Sequence, residues 1–286
     1  MRLTTVPNWS FGRDRGLLRR MREVLEQSGA RVHFAESDPD HNRTVTAFTD
    51  EAGRLPEVLL RLCELAFDRI DLNRHVGVHP RIGALDVCPF VPLPGEPMEP
   101  AIALSLQFAE RMAERFGVPV FLYEKSERGR HETELPALRR GGFGALLGRK
   151  LNPDFGPDEA HPRLGVSVVG AREFLIAMNV NLDRPEPNVA KELARRIRSL
   201  RAEGDARFLG VRALGLPLAS RGLSQVSMNL TMPDVTPVDP IVGWVRAEAA
   251  RRGARVAGTE LIGVIRKRDL PTAGTLKVRP EQVVDP

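Results

Sequence analysis

Lysine is nearly missing from this chain. It stands only at positions 125, 150, 191, 267 and 277, so the formal charge of +5 rests almost wholly on arginine. A guanidinium offers a rigid fork that suits carboxylate and phosphate groups better than an ammonium does. Stacking aromatics are scarce as well, with two Trp and one Tyr. Nucleic-acid surfaces interleave basic groups with aromatic platforms. Arginine-rich stretches such as Arg195-Arg196-Ile197-Arg198 fall instead on a predicted helix face, which reads as a solvated basic surface or a site for small polyanions. Nucleic acid is not an expected partner. No run of about 18 apolar residues is present, so no membrane span is expected. Residues 1–7 lack the apolar core of a signal peptide. The two cysteines, Cys63 and Cys88, each sit inside an apolar segment. Buried thiols in a reducing, cytoplasmic compartment are expected rather than a disulfide.

The 286 residues, 42% apolar and 28% charged, have room for one large domain or two medium ones. Arg13 to Gln27 reads as an amphipathic helix with Leu17, Leu18, Met21, Val24 and Leu25 inward and Gly29 as its stop. Strands are expected near 31–35 and 43–48, joined by the acid-rich turn formers 36–42. A helix over 56–70, a strand within 82–92, a helix over 98–116 and a strand over 118–123 follow. Residues 124–162 are dominated by Gly, Pro and charge, with short helical patches at 135–139 and 143–151. Strands near 165–170 and 174–181, a helix over 189–200, strands at 208–215 and 223–230, a helix over 237–252 and a strand at 258–265 complete the pattern. The residues after Asp269 read as a loosely held end.

The element order is β-α-β-β-α-β with an α-β extension, then β-α-β-β-α-β again. The fold class this predicts is α/β (α+β), with two ferredoxin-like subdomains. Each is expected as a mixed sheet covered by helices, with the two sheets facing each other. The boundary is expected at 174/175.

One stretch mixes a polar loop with a buried strand: Arg74-His75-Val76-Gly77-Val78-His79-Pro80-Arg81-Ile82-Gly83-Ala84-Leu85-Asp86-Val87-Cys88-Pro89-Phe90-Val91-Pro92. Gly77 and Pro80 argue against a helix, so His75 and His79 are not expected as a helical metal-binding pair. Pro80 pushes His79 towards an extended backbone. An imidazole at the lip of a strand, flanked by guanidiniums, suits proton transfer on an anionic substrate. From the residues alone, an ordinary surface loop explains both histidines equally well. Asp86, in an otherwise apolar strand, needs a partner if buried; it either orients His79 or pairs with an arginine.

Six motifs in register carry a resemblance to the glutamate formimidoyltransferases. They are Val6-Pro7-Asn8, Asn42-Arg43-Thr44-Val45, His79-Pro80-Arg81-Ile82-Gly83-Ala84-Leu85-Asp86-Val87, Pro153-Asp154-Phe155-Gly156-Pro157, Val169-Gly170-Ala171-Arg172 and Gln225-Val226-Ser227-Met228-Asn229-Leu230. The chain resembles a stand-alone form, without a cyclodeaminase domain. The resemblance implies a transferase of histidine degradation and one-carbon metabolism. Such an enzyme moves the formimidoyl group of N-formimidoyl-L-glutamate to tetrahydrofolate, a co-substrate, without a metal. It also implies a cytoplasmic homodimer, with residues 1–174 and 175–286 as the N- and C-terminal formiminotransferase subdomains.

Carried over residue by residue, the resemblance makes His79 the catalytic histidine. It makes Gly156-Pro157-Asp158-Glu159-Ala160-His161-Pro162-Arg163-Leu164-Gly165 the folate-binding segment. Glu36 stands where the family has a substrate-binding aspartate, and it is assigned to the substrate together with Asn42. Arg81 and Asp86 are added as substrate contacts, and Arg163 as the contact of the folate tail. The chain departs from the family at Phe11, since Ser10-Phe11-Gly12 stands where Ser-Glu-Gly is usual, and at Val78, where glutamate is usual. Two readings of these departures stay open: transfer from N-formyl-glutamate, and a folate-binding relative with weakened catalysis. A metal-dependent hydrolase using His75, His79 and His41 lacks a carboxylate at position 78.

Overall fold

A strand broken at Pro7 runs through the middle of the first sheet. Its halves, β1 (Arg2–Thr5) and β2 (Asn8–Trp9), both pair antiparallel with β4 (Arg43–Glu51) on one side and β5 (Leu85–Pro92) on the other. Proline has no N–H for the ladder, so the break falls there. The computed structural model describes residues 1–131 and 135–285. These divide into two units, Met1–Arg172 and Glu173–Pro286.

In the first unit, Asp14 starts α1 (Arg15–Ser28) by accepting the Leu17 N–H at 2.9 Å, and Gly29 ends it at φ 76°. Both are ordinary helix-terminus devices. Leu17, Met21 and Leu25, one face at helical spacing, are buried. After β3 (Arg31–Asp38) come β4, α2 (Leu55–Arg69), β5, α3 (Glu99–Phe116), β6 (Val120–Leu122), the short α4 (Leu135–Leu138) and β7 (Ser167–Ala171). The strands lie side by side in the order β3, β4, β1/β2, β5, β7, β6. The first four are mutually antiparallel, whereas β5, β7 and β6 run parallel. The sheet is therefore mixed. Trp9, Phe48, Phe90 and Phe108 centre the core between this sheet and its helices.

The second unit holds β8 (Ile176–Leu182), α5 (Asn188–Ala202), β9 (Val211–Leu218), β10 (Leu223–Leu230), α6 (Val238–Arg251) and β11 (Val256–Ile262). Its strands lie in the order β11, β8, β10, β9. Every pairing is antiparallel, where a mixed sheet was expected. The split motif explains this: each helical crossover joins two parallel strands, and a strand of opposite direction fills the gap between them. Met178, Val180, Leu182, Val226 and Met228 face the helices. The alternate residues Asn179, Asn181 and Gln225 form a buried polar row on the other face. There Asn181 donates to Glu260 at 2.9 Å, and Gln225 donates to Asn181 at 2.8 Å.

The end of the chain is docked rather than loose. β12 (Ile265–Arg266) pairs in parallel with β13 (Val283–Val284). Ala273, Leu276 and Val284 are buried. Thr275 donates its N–H and hydroxyl to Asp239 at 2.9 and 2.6 Å. Buried Gln282 donates Nε2–H to the carbonyls of Gly263 (2.9 Å) and Leu261 (3.3 Å). Among the described residues no helix is long and apolar enough to cross a membrane. Gln282→Ala leaves two buried carbonyls without a donor, so urea unfolding should report a loss of about 1–3 kcal/mol. An unchanged midpoint would mean that apolar contacts alone hold the tail.

Candidate active site

Three loops of the first unit meet at the ends of β4 and β5. The connection from α2 to β5 is wound around one of its own side chains. Arg81 donates Nη2–H to the His75 carbonyl at 2.5 Å, and Nη1–H to the Gly77 and His79 carbonyls at 3.3 Å. Asn42, in the left-handed region at φ 48°, ties the other two loops to it. Its Oδ1 accepts the Gly12 N–H at 2.7 Å, and its Nδ2 donates to the Val76 carbonyl at 3.1 Å. The Asn42 carbonyl accepts from His75 Nε2 at 2.7 Å. The contact is close enough that a Cβ at Gly77 would lie 2.2 Å from the His41 carbonyl oxygen. Only glycine fits there.

His79 emerges half-buried from this knot. Its Nδ1 lies 2.8 Å from the Pro80 carbonyl oxygen, and the His41 ring centroid is 5.6 Å away. A carbonyl accepts but does not donate. Nδ1 therefore carries the proton, and the lone pair lies on Nε2. Burial first, then the nearby Arg43 and Arg139 guanidiniums and His41, push the His79 pKa well below its ordinary value. Burial and Arg81 likewise push His75 down to about 4.

Beneath the loop, Asp86 is wholly buried (0% exposed). Its carboxylate accepts from Arg43 Nη1 at 2.7 Å, from the Ile82 N–H at 2.9 Å and from Arg139 Nη2. Burial acts to raise its pKa, but Arg139 and Arg43 outweigh that and hold it at about 2. One carboxylate thus serves two guanidiniums, and among the described residues the locality keeps a surplus positive charge. Burial, with the repulsion of Arg139 among the opposing charges, lowers even the Arg43 pKa to about 10.

These contacts change the expected roles of several residues. Asp86 was expected to touch substrate, but its carboxylate faces inward and is taken up by two arginines and a backbone amide. Of the other expected substrate contacts, Arg81 spends the donors described above on its own loop, and Asn42 on the neighbouring one. Glu36 lies not in a loop but at an exposed position of β3 opposite Val45, because the ladder with β4 continues through Asp38. Arg43 and Arg139 were not singled out as site residues, and His41 was named only for the metal-dependent alternative. Arg43 was visible as a charge between polar strand residues, whereas Arg139 carries no local signal. A further pair, His131 and Asp154, meets at 2.6 Å below the loop-rich segment, where Asp154 also accepts the Leu122 N–H at 2.8 Å. Among the described residues no three His, Cys, Asp or Glu side chains are grouped as metal ligands.

The segment expected to hold folate lies beside this loop. Gly156 sits at φ 86°, and Pro157, Asp158 and Glu159 are exposed. His161 and Gly165 exchange two backbone hydrogen bonds at 3.0 and 2.8 Å. His161 Nδ1 accepts the N–H groups of Arg163 and Leu164, both at 3.1 Å. The segment is sewn to the His79 loop by Asn73 on the Pro162 carbonyl (2.9 Å), by the Leu72 N–H on the Arg163 carbonyl (2.9 Å) and by a bridge between Gly83 and Gly165. Arg163 gives one N–H to the Ile70 carbonyl at 2.8 Å. A cleft of about 410 Å³ opens along the loop. Leu72, Val78, His79, Pro80 and Arg81 line it together with Gly142 and Phe143.

Two sequence profiles match the chain: "Formiminotransferase domain, N-terminal subdomain" over residues 2–172 and "Formiminotransferase domain" over residues 177–285. A glutamate formimidoyltransferase of Thermoplasma acidophilum is 35% identical over 93% of this chain and 88% of its own length. One from Streptococcus pyogenes serotype M1 is 33% identical over 91% and 87%. The formimidoyltransferase-cyclodeaminase of Sus scrofa is 36% identical over 97% of this chain, which spans 52% of that protein. With both profiles matched and two relatives aligned over most of their length, the chain belongs to the formiminotransferase family.

Proposed function

We propose that this chain is a glutamate formimidoyltransferase that moves the formimidoyl group of N-formimidoyl-L-glutamate to nitrogen 5 of tetrahydrofolate, with His79 as general acid and base. The carrying observation is the placement of His79: it lines the cleft, with Nδ1 held by the Pro80 carbonyl and its lone pair therefore on Nε2. Nitrogen 5 attacks the amidine carbon, forming a C–N bond and a tetrahedral intermediate. His79 Nε2 takes the proton from the attacking nitrogen and delivers it to the α-nitrogen of glutamate. The old C–N bond then breaks, releasing glutamate and 5-formimidoyltetrahydrofolate. An unprotonated amine is a poor leaving group, so this proton transfer is what the step most needs.

Residues 156–165 are assigned to tetrahydrofolate, in part because their hydrogen bonds tie them to the His79 loop. Arg163 keeps N–H groups beyond its one bond to Ile70, and it is assigned to a carboxylate of the folate tail. The surplus positive charge around Asp86 supports an anionic donor such as a glutamate derivative. A homodimer in the cytoplasm completes this reading, supported by the family resemblance.

A turnover assay with tetrahydrofolate and N-formimidoyl-glutamate tests the activity, and its absence in folded, folate-binding protein would refute it. His79→Ala should reduce turnover by about 10²–10⁴-fold while leaving folate binding, measured by calorimetry, within a few-fold. Equal modest losses in both would remove the acid–base role. A base must be neutral to act, and the His79 pKa lies below its ordinary 6.5. The plateau of kcat/KM against pH should therefore extend below pH 6.5 and fall only on further acidification; a fall centred at or above 6.5 would contradict the assignment. Arg163→Met should weaken folate binding and flatten its salt dependence, and unchanged values would take Arg163 out of the folate site.

A further inference from the structure

Asp86 needs only one arginine to be satisfied. Arg43 and the Ile82 amide already supply two good hydrogen bonds. Arg139 nevertheless brings a second guanidinium to the same buried carboxylate, with its side chain only 13% exposed. Its Nε has no hydrogen-bond partner among the described residues. Crowding two cations on one acid is unfavourable, so a purely structural account leaves the second arginine unexplained.

What Arg139 reaches on its other side supplies an account. Its carbonyl accepts the Gly142 N–H at 3.0 Å, and the Gly142 carbonyl accepts the Ala145 N–H at 3.2 Å. Gly142 and Phe143 line the same cleft as Val78, His79 and Pro80. A continuous path of hydrogen bonds therefore runs from Asp86 through Arg139 to that cleft. Among the described residues, the groups charged or titratable around His79 are Arg43 from β4, His41 from the β3–β4 connection, Asp86 from β5, His75 and Arg81 from its own loop, and Arg139. Of these, Arg139 belongs to the segment that also supplies Gly142 and Phe143 to the cleft.

We propose that Arg139 is a positioning residue that, by pairing with Asp86, fixes the Gly142–Phe143 wall of the substrate cleft and completes the positive field around His79. Its effect on catalysis rests on the general-base reading of His79, but its effect on the His79 ring does not. Two variants of the full chain separate charge from geometry. Arg139→Gln keeps a donor for Asp86 and removes the charge. Arg139→Lys keeps the charge and loses the fork. The His79 ring is followed by NMR titration, its resonance identified by its loss in His79→Asn.

In Arg139→Gln the His79 midpoint should move up by about one pH unit. In Arg139→Lys it should stay near the parent value, while the KM for tetrahydrofolate rises roughly tenfold, about 1.4 kcal/mol. An unmoved midpoint in Arg139→Gln, or an unmoved KM in both variants, overturns the proposal. Should His79→Ala retain turnover while the Arg139→Gln midpoint still shifts, the general-base reading falls and the placement of Arg139 stands.

Discussion

A buried carboxylate facing two guanidiniums is the constraint on which the site depends. Asp86 sits in a strand whose neighbours are apolar, where an unpaired charge would be prohibitive. Arg43 comes from the adjacent strand system, Arg139 from the loop-rich segment, and the Ile82 amide from the loop that presents His79. Three parts of the chain are thereby brought to one point. The same pairing that fixes geometry also fixes chemistry. Burial and the excess positive charge disfavour imidazolium at His79, and the Pro80 carbonyl selects its tautomer, which suits the base role proposed for it.

Much of the frame around this point was legible in the sequence because it is local. The face Leu17, Met21, Leu25 and the stop at Gly29 mark α1 without any knowledge of the rest. The loop character of residues 74–81 follows from Gly77 and Pro80. The need of Asp86 for a partner was equally plain from its apolar neighbours. Which partner it takes was not, since Arg43 and Arg139 lie 43 and 53 residues away in the chain. The same limit explains the second sheet. Strand existence is a local property, but whether neighbours run parallel or antiparallel depends on which strand fills the gap left by each crossover.

The misplaced residues share a physical cause. Glu36 was assigned to a loop because the apolar alternation of β3 ends before it, whereas backbone pairing with β4 carries the strand on without apolar help. The tail after Asp269 looked loose because Pro and Gly punctuate it and its apolar residues are sparse. Its anchors are instead the side chains of Thr275 and Gln282 on specific acceptors, a kind of order with no periodicity to read. Arg81 and Asn42 were assigned to the substrate, but Arg81 spends its donors on its own loop and Asn42 on the neighbouring one. Polar residues expected to face the substrate often prove to be what holds the loop that does.

The two units repeat one plan. In each, the four strands of the β-α-β-β-α-β motif lie with the second at one edge, the third beside it, then the first, then the fourth. Within the two main sheets the strand order parts at the fourth strand: in the first unit β5 is continued by β7 and β6, whereas its counterpart β11 ends the second sheet. His79 lies on the loop leading into β5, and residues 156–165 lie on the approach to β7. The candidate chemistry is therefore seated where the internal symmetry of the chain is broken, on the joint between an element shared by both halves and one that only the first half possesses.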